Sequence, residues 1–105
     1  MDDVFFEVTD PKGMVVVCTK DCWHNHILPR HGSMSEKIET IKLTITNPAY
    51  GVYRDAHFSD RRVYYYRNPS HPRYMKVVVR EYPHRSEVIT AFETDSMKAG
   101  EKLLL

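Results

Sequence analysis

Three histidines and an arginine crowd one short segment: His24, His26, Arg30 and His31. If that segment is helical, His26 and Arg30 lie four apart and face the same way. His31 then stands over Ile27, nearer the edge of the core. An imidazole beside a guanidinium suits phosphate chemistry. The imidazole moves a proton while the guanidinium holds the phosphate. The same residues would serve equally well as ordinary surface or capping side chains. His57 stands apart, in a loop before a Tyr-rich strand.

A metal centre competes for some of these groups. Cys18, Cys22, His24 and His26 form Cys-x3-Cys-x-His-x-His, all of them ligand types that zinc takes. Structural zinc sites pair two short motifs across a longer loop. Here all four groups fall within nine residues running from strand to helix. One such segment wraps a tetrahedron poorly, so a small zinc-binding domain is the third-ranked reading and no cofactor is expected.

The charge is uneven. Between Arg54 and Arg85 lie eight bases (Arg54, Arg61, Arg62, Arg67, Arg73, Lys76, Arg80, Arg85) against Asp55, Asp60 and Glu81, a local charge of +5. The rest of the chain carries −4. Phe58, Tyr64, Tyr65, Tyr66, Tyr74 and Tyr82 share the basic window. Arginine interleaved with tyrosine suits phosphate contact and base stacking. A solvated sheet face with tyrosines over a core edge would look the same.

Other chemistries find no support. There is no Gly-rich phosphate loop, Walker motif or Gly-x-Ser-x-Gly elbow. The two cysteines build no disulfide framework, and their ordinary role is as buried thiols. No apolar run approaches a membrane span, and Met1-Asp2-Asp3 does not resemble a signal peptide. The expectation is a cytoplasmic protein with no membrane contact. At 105 residues, 42% of them hydrophobic, the chain reads as one domain spanning 1–105 with a single core.

The elements that would carry these groups follow from periodicity. Val4 to Val8 and Met14 to Cys18 are apolar and β-prone. Asp10-Pro11-Lys12-Gly13 between them has turn chemistry, so the pair predicts a hairpin. Asp21 can cap a helix whose buried stripe holds Trp23 and Ile27. Pro29 is costly deep in a helix, which predicts a start near Asn25 or a bend at Asn25-His26, with Gly32 marking the end. Ser33 or Ser35 can cap a second helix on which Ile38, Ile41 and Ile45 share a face; residues 41–45 also alternate as a strand would. Asn47-Pro48 ends it.

Four strands are predicted beyond: Gly51–Asp55, Arg62–Arg67, Tyr74–Tyr82 and Glu87–Phe92. In the third, Met75, Val77 and Val79 point one way and Lys76, Val78 and Arg80 the other. In the fourth, Val88, Thr90 and Phe92 should share a face. Short links favour antiparallel neighbours. The class is α+β: an N-terminal hairpin, then one or two helices packed on a four-strand antiparallel meander.

In this order the motifs resemble those of the phage-associated barnase–EndoU–colicin–RelE-like (BECR-fold) nucleases. Trp23-His24-Asn25-His26-Ile27-Leu28-Pro29-Arg30-His31 resembles the family's "HI…(R)H" helix. Ile38…Ile45-x-Asn47-Pro48 resembles its second helix ending in "NP". Tyr64-Tyr65-Tyr66…Tyr74-x-Lys76-Val77-Val78-Val79 and Val88-Ile89-Thr90-Ala91-Phe92 resemble its "YY…Y-x-K-VVV" and "ITA(F/Y)" strands. The likeness runs from about Trp23 to Phe92.

What the resemblance implies is a metal-independent endoribonuclease of toxin type on a barnase-like fold. It implies an RNA substrate such as tRNA and an inhibitor or antitoxin protein that holds the enzyme in check. His26, His31, Thr90 and Tyr65 or Tyr66 would be the site residues by that likeness. Arg30, Arg54, Lys76 and Arg80 are phosphate-contact candidates from charge and position. An RNA 2′-OH would attack the adjacent phosphorus, one imidazole taking its proton and a second acid protonating the leaving oxygen. Tyr65 would hold the flanking base. The runner-up is an inert RNA- or protein-binding module on the same fold. Leu103-Leu104-Leu105 would either dock on the chain's own core or stay exposed as a small patch for a partner.

Overall fold

The first turn behaves as its residues require. Asp10 Oδ1 accepts from the backbone N–H of Lys12 and of Met14, each at 2.9 Å. Gly13 takes the left-handed conformation (φ +86°) that a side chain would resist. β1 (Val4–Thr9) and β2 (Val15–Thr19) therefore pair antiparallel. These observations come from a computed structural model that describes residues 3–67, 70 and 72–104. Met1 and Asp2, and Leu105 of the apolar tail, lie outside the described residues.

The first helix occupies residues 20–30 and begins earlier than predicted. Thr19, not Asp21, caps it, its hydroxyl accepting from Cys22 N–H at 3.1 Å. After an α-helical turn at Lys20–Cys22 the chain widens into a π-helix at Trp23–Ile27, then tightens again at Leu28–Arg30. The wide turn accommodates Pro29, which has no N–H to offer a regular ladder. So the helix passes through Asn25-His26 where a late start or a bend was predicted. His31 N–H closes on Ile27 C=O at 2.8 Å. Gly32 does not take a left-handed cap conformation; it opens a 3₁₀ turn, Gly32–Glu36, that contains both candidate cap serines.

The second helix is Ile38–Thr46, with Lys37 at its start and no side-chain cap. Ile41 and Ile45 are fully buried and Ile38 packs beside them. The helical stripe thus prevails over the strand-like alternation of residues 41–45. Asn47 ends it before Pro48.

The remaining strands are β3 (Val52–Arg54), β4 (Arg61–Tyr66), β5 (Tyr74–Glu81), β6 (Ser86–Thr94) and β7 (Lys102–Leu103). They join the hairpin in one mixed seven-stranded sheet, ordered β1-β2-β6-β5-β4-β3-β7. The α+β class holds, but in place of the expected four-strand antiparallel meander stands this larger mixed sheet. The difference has two causes. β2 runs parallel to β6 through Val16↔Ser86 and Val17↔Glu87, with both helices and β3 to β5 between them in sequence, a connection long enough for parallel pairing. The tail also adds a strand, with Leu103 opposite Tyr53 and Leu104 N–H donating to Val52 C=O at 2.7 Å. The Leu103 side chain stays exposed.

One side of the sheet packs the helices: Trp23, Ile27, Ile41 and Ile45 meet Met75, Val77, Val79, Val88 and Ala91. The other side carries a smaller cluster, Val63, Tyr65 and Val78, with Ile89 and Met97 against it. The predicted alternation of β5 holds. That of β6 does not, because a bulge intervenes: Val88 faces Val79, but Thr90 faces Val78. Val88 turns toward the helices, and Thr90 and Phe92 share the side of Val78 and Lys76. No helix among the described residues is long and apolar enough to cross a membrane.

Candidate functional site

The bulge and the first helix together shape a cleft of about 540 Å³. The helix supplies Asp21, Cys22, His26, Arg30 and, at its end, His31. β6 supplies Thr90 and Phe92, β5 supplies Arg80, and β4 supplies Arg61. Tyr82 stands at the rim. So His26, Arg30, His31, Thr90 and Arg80, candidates by sequence, line one cleft.

Each is held differently. His26 is exposed, its Nε2 3.4 Å from Asp21 Oδ2. Asn25 Nδ2 donates to the other oxygen of that carboxylate at 2.7 Å. His31 is half-buried and stacks on Phe92, ring centroids 5.1 Å apart at 23°. Arg80 Nε donates to Asp60 Oδ2 at 3.0 Å. Arg61 pairs directly across the strands with Arg80. Cys22 Sγ donates to Val88 C=O at 3.0 Å, tying the helix to the bulged strand. Behind it Cys18 is buried. Its hydrogen bond to Cys22, then burial, push the Cys18 thiol up. The same bond holds the Cys22 thiol below its ordinary value.

The other candidates lie elsewhere. Tyr65 is fully buried. Its hydroxyl donates to Glu101 Oε1 at 2.6 Å and accepts from Lys98 N–H at 3.2 Å. Burial and then the Glu101 bond push its phenol up. A ring with no exposed face cannot stack on a base, so Tyr65 is a packing residue. Lys76 Nζ lies 3.1 Å from Glu101 Oε2, both side chains nearly buried. It holds the tail segment in place and does not reach the cleft. Tyr66 lines a separate pocket of about 200 Å³ with Lys37, Thr40 and Arg73. Arg54 donates to Glu81 and to Ser59 C=O.

Much of the basic window is therefore paired with the chain's own carboxylates, some inside the fold and some at its surface. Glu81 accepts from both Arg54 and Arg62. Arg62 also donates to Tyr64 Oη and to Ser86 Oγ, and Tyr64 Oη donates to Asp10 Oδ2 at 2.7 Å. Arg73 pairs with Asp95, and Arg85 with Glu87. Of the described cations in that window, Arg61 and Arg80, whose strand parity matches Val63 and Val78, line the cleft.

The four groups considered for zinc are dispersed. Cys22 and His26 face the cleft, Cys18 is buried, and His24 leans on Phe5 with ring centroids 6.2 Å apart. Among the described residues no three His, Cys, Asp or Glu gather as a metal site needs. His57 is exposed beyond the cleft, in a loop organised by Asp55.

Asp21, Arg61 and Tyr82 escaped the sequence reading as site residues. Asp21 reaches His26 only through the π-helical turn. Arg61 had a visible signal, since it shares parity with Val63 and Tyr65. Comparison of the chain with protein-family models, curated proteins and solved structures finds no match.

Proposed function

We propose that the cleft is the active site of a metal-independent endoribonuclease of toxin type. The observation that carries this reading is that His26, His31, Arg30, Thr90 and Arg80 line one cleft. Two imidazoles, guanidiniums and a hydroxyl are the groups that RNA transesterification uses. The motif order that resembles the BECR-fold nucleases supports the same reading, and with it a barnase-like architecture.

In the proposed step one imidazole takes the 2′-OH proton as O2′ bonds to phosphorus. The bond from phosphorus to O5′ breaks, and O5′ takes a proton from the other imidazole. Arg30 and Arg80 hold the non-bridging oxygens as charge builds, and Thr90 donates a hydrogen bond. The products are a 2′,3′-cyclic phosphate and a 5′-hydroxyl. A cytoplasmic tRNA is a fitting substrate, and an antitoxin covering the cleft a fitting partner.

The test is incubation of the protein with tRNA in excess EDTA. The reading expects fragments ending in cyclic phosphate, uncut DNA of equal sequence, and a loss of ~10²–10⁴-fold in His26→Ala. EDTA-sensitive cutting, or cutting of DNA, overturns it. Tight RNA binding with no cutting would favour the inert binding module.

A further inference from the structure

Strand pairing sets Arg61 directly opposite Arg80, and both line the cleft. Like charges at opposed positions destabilise a strand pair unless something else holds them there. Asp60 bridges to Arg80, but Arg61 Nε is buried with no hydrogen-bond partner among the described residues. Each guanidinium instead lies against an aromatic ring. Arg61 sits 3.9 Å from the centroid of Phe58, and Arg80 sits 5.9 Å from that of Tyr82. Both rings are open to solvent, Phe58 at 50% and Tyr82 at 44% exposure. The same unit, an exposed ring with a guanidinium over it, thus occurs twice: Phe58 in the loop before β4 with Arg61, and Tyr82 just after β5 with Arg80, the two arginines and Tyr82 lining the cleft.

A planar ring or guanidinium stacks a base, and the guanidinium fork binds phosphate oxygens. Two such units side by side fit consecutive nucleotides whose base faces are free. Paired RNA hides those faces inside its stack. We propose that Phe58 with Arg61 and Tyr82 with Arg80 form a two-nucleotide subsite for single-stranded RNA leading into the cleft. The proposal rests on the ribonuclease reading and adds the substrate class: an unpaired segment, such as a loop or an end. The subsite touches bases and phosphates, not the 2′-OH. A DNA strand should therefore occupy it and remain uncut.

The test uses fluorescence anisotropy with labelled tetrathymidylate, which lacks the 2′-OH. Phe58→Ala and Tyr82→Ala should each weaken binding between about 5-fold and 100-fold, the range for losing one stacked base. Their exposure leaves the fold intact. Tyr50→Ala, an exposed aromatic lying beside a different arginine, should change nothing. Binding of a duplex as tight as the single strand overturns the subsite. So does wild-type affinity in both Phe58→Ala and Tyr82→Ala, or an equal loss in Tyr50→Ala. Cleavage of an unpaired RNA is followed in parallel. Variants that bind and cut as wild type overturn the subsite and spare the ribonuclease. A wild-type protein that binds tetrathymidylate with the expected variant losses but cuts no RNA supports the subsite and overturns the ribonuclease.

Discussion

His26 Nε2 meets Asp21 Oδ2 at 3.4 Å although they stand five positions apart along the helix. In a regular α-helix, positions five apart point about 140° away from each other. The π-helical turn at Trp23–Ile27 reduces that offset and lets the two side chains meet. Both side chains are more than half exposed, so the pair adds little to stability. Its consequence is orientation: the carboxylate fixes which ring edge His26 turns to the cleft.

Asp21→Asn should therefore lower the cleavage rate by up to ~10-fold while leaving the fold and RNA affinity unchanged. Single-turnover rates, with affinity measured separately, check this. A rate equal to wild type would place Asp21 outside the mechanism.

Salt should weaken RNA binding. Three guanidiniums line the cleft, those of Arg30, Arg61 and Arg80. For a single strand the slope of log affinity against log salt is then about −2, and Arg80→Ala should reduce its magnitude by about 0.7. A slope near zero would remove the electrostatic basis of the site.

Glu101→Ala should destabilise the fold by about 3–5 kcal/mol, because it strands the buried Lys76 ammonium. Cleavage by the folded fraction should be unchanged. Urea unfolding reads the first outcome and specific activity the second. If Lys76 touched substrate, Lys76→Met combined with Glu101→Leu would lose activity; we expect this pair to keep it.

Glu81 sets an acid limit on stability. Burial alone would push its carboxyl up, but the hydrogen bonds from Arg54 and Arg62 outweigh burial and hold it below its ordinary 4.5. The folded state therefore releases this proton more readily than the unfolded chain. Its contribution is complete above the unfolded value and is lost as pH falls from about 4.5 through the lower folded value. Urea midpoints measured from pH 7 to pH 3 should show that decline. Glu81→Gln should flatten it and cost about 2 kcal/mol at neutral pH.

The sequence disclosed what local periodicity controls. Ile41 and Ile45 announced a helix face, and Met75, Val77 and Val79 a strand face, because burial of one side writes itself into spacing. The helix-borne half of the cleft was legible for the same reason. Thr90 reached the cleft by another route: a bulge in β6, which no period-2 pattern displays. Pro29 signalled trouble in the first helix, but not that a wider turn would resolve it. Composition also overstated the basic face. Arg62 and Lys76 count the same as Arg61 until their distant partners Glu81 and Glu101 are in place, and residue counts carry no partners.

The two-pair parallel join of β2 to β6 has a consequence for the timing of synthesis. The first helix is made early, yet the strand that covers it includes Val88, some sixty residues later. At ribosomal speed that interval lasts roughly 3–12 s. Throughout it the N-terminal hairpin, whose Phe5 stacks on Trp23, is the first surface the helix can lie on, and Thr90 and Phe92 of the cleft are still missing. On the ribonuclease reading proposed above, a nascent chain still lacking Thr90 and Phe92 should not attack the message that encodes it. On the same reading, the apolar face of its first helix is the surface that an inhibitor protein could capture over those seconds.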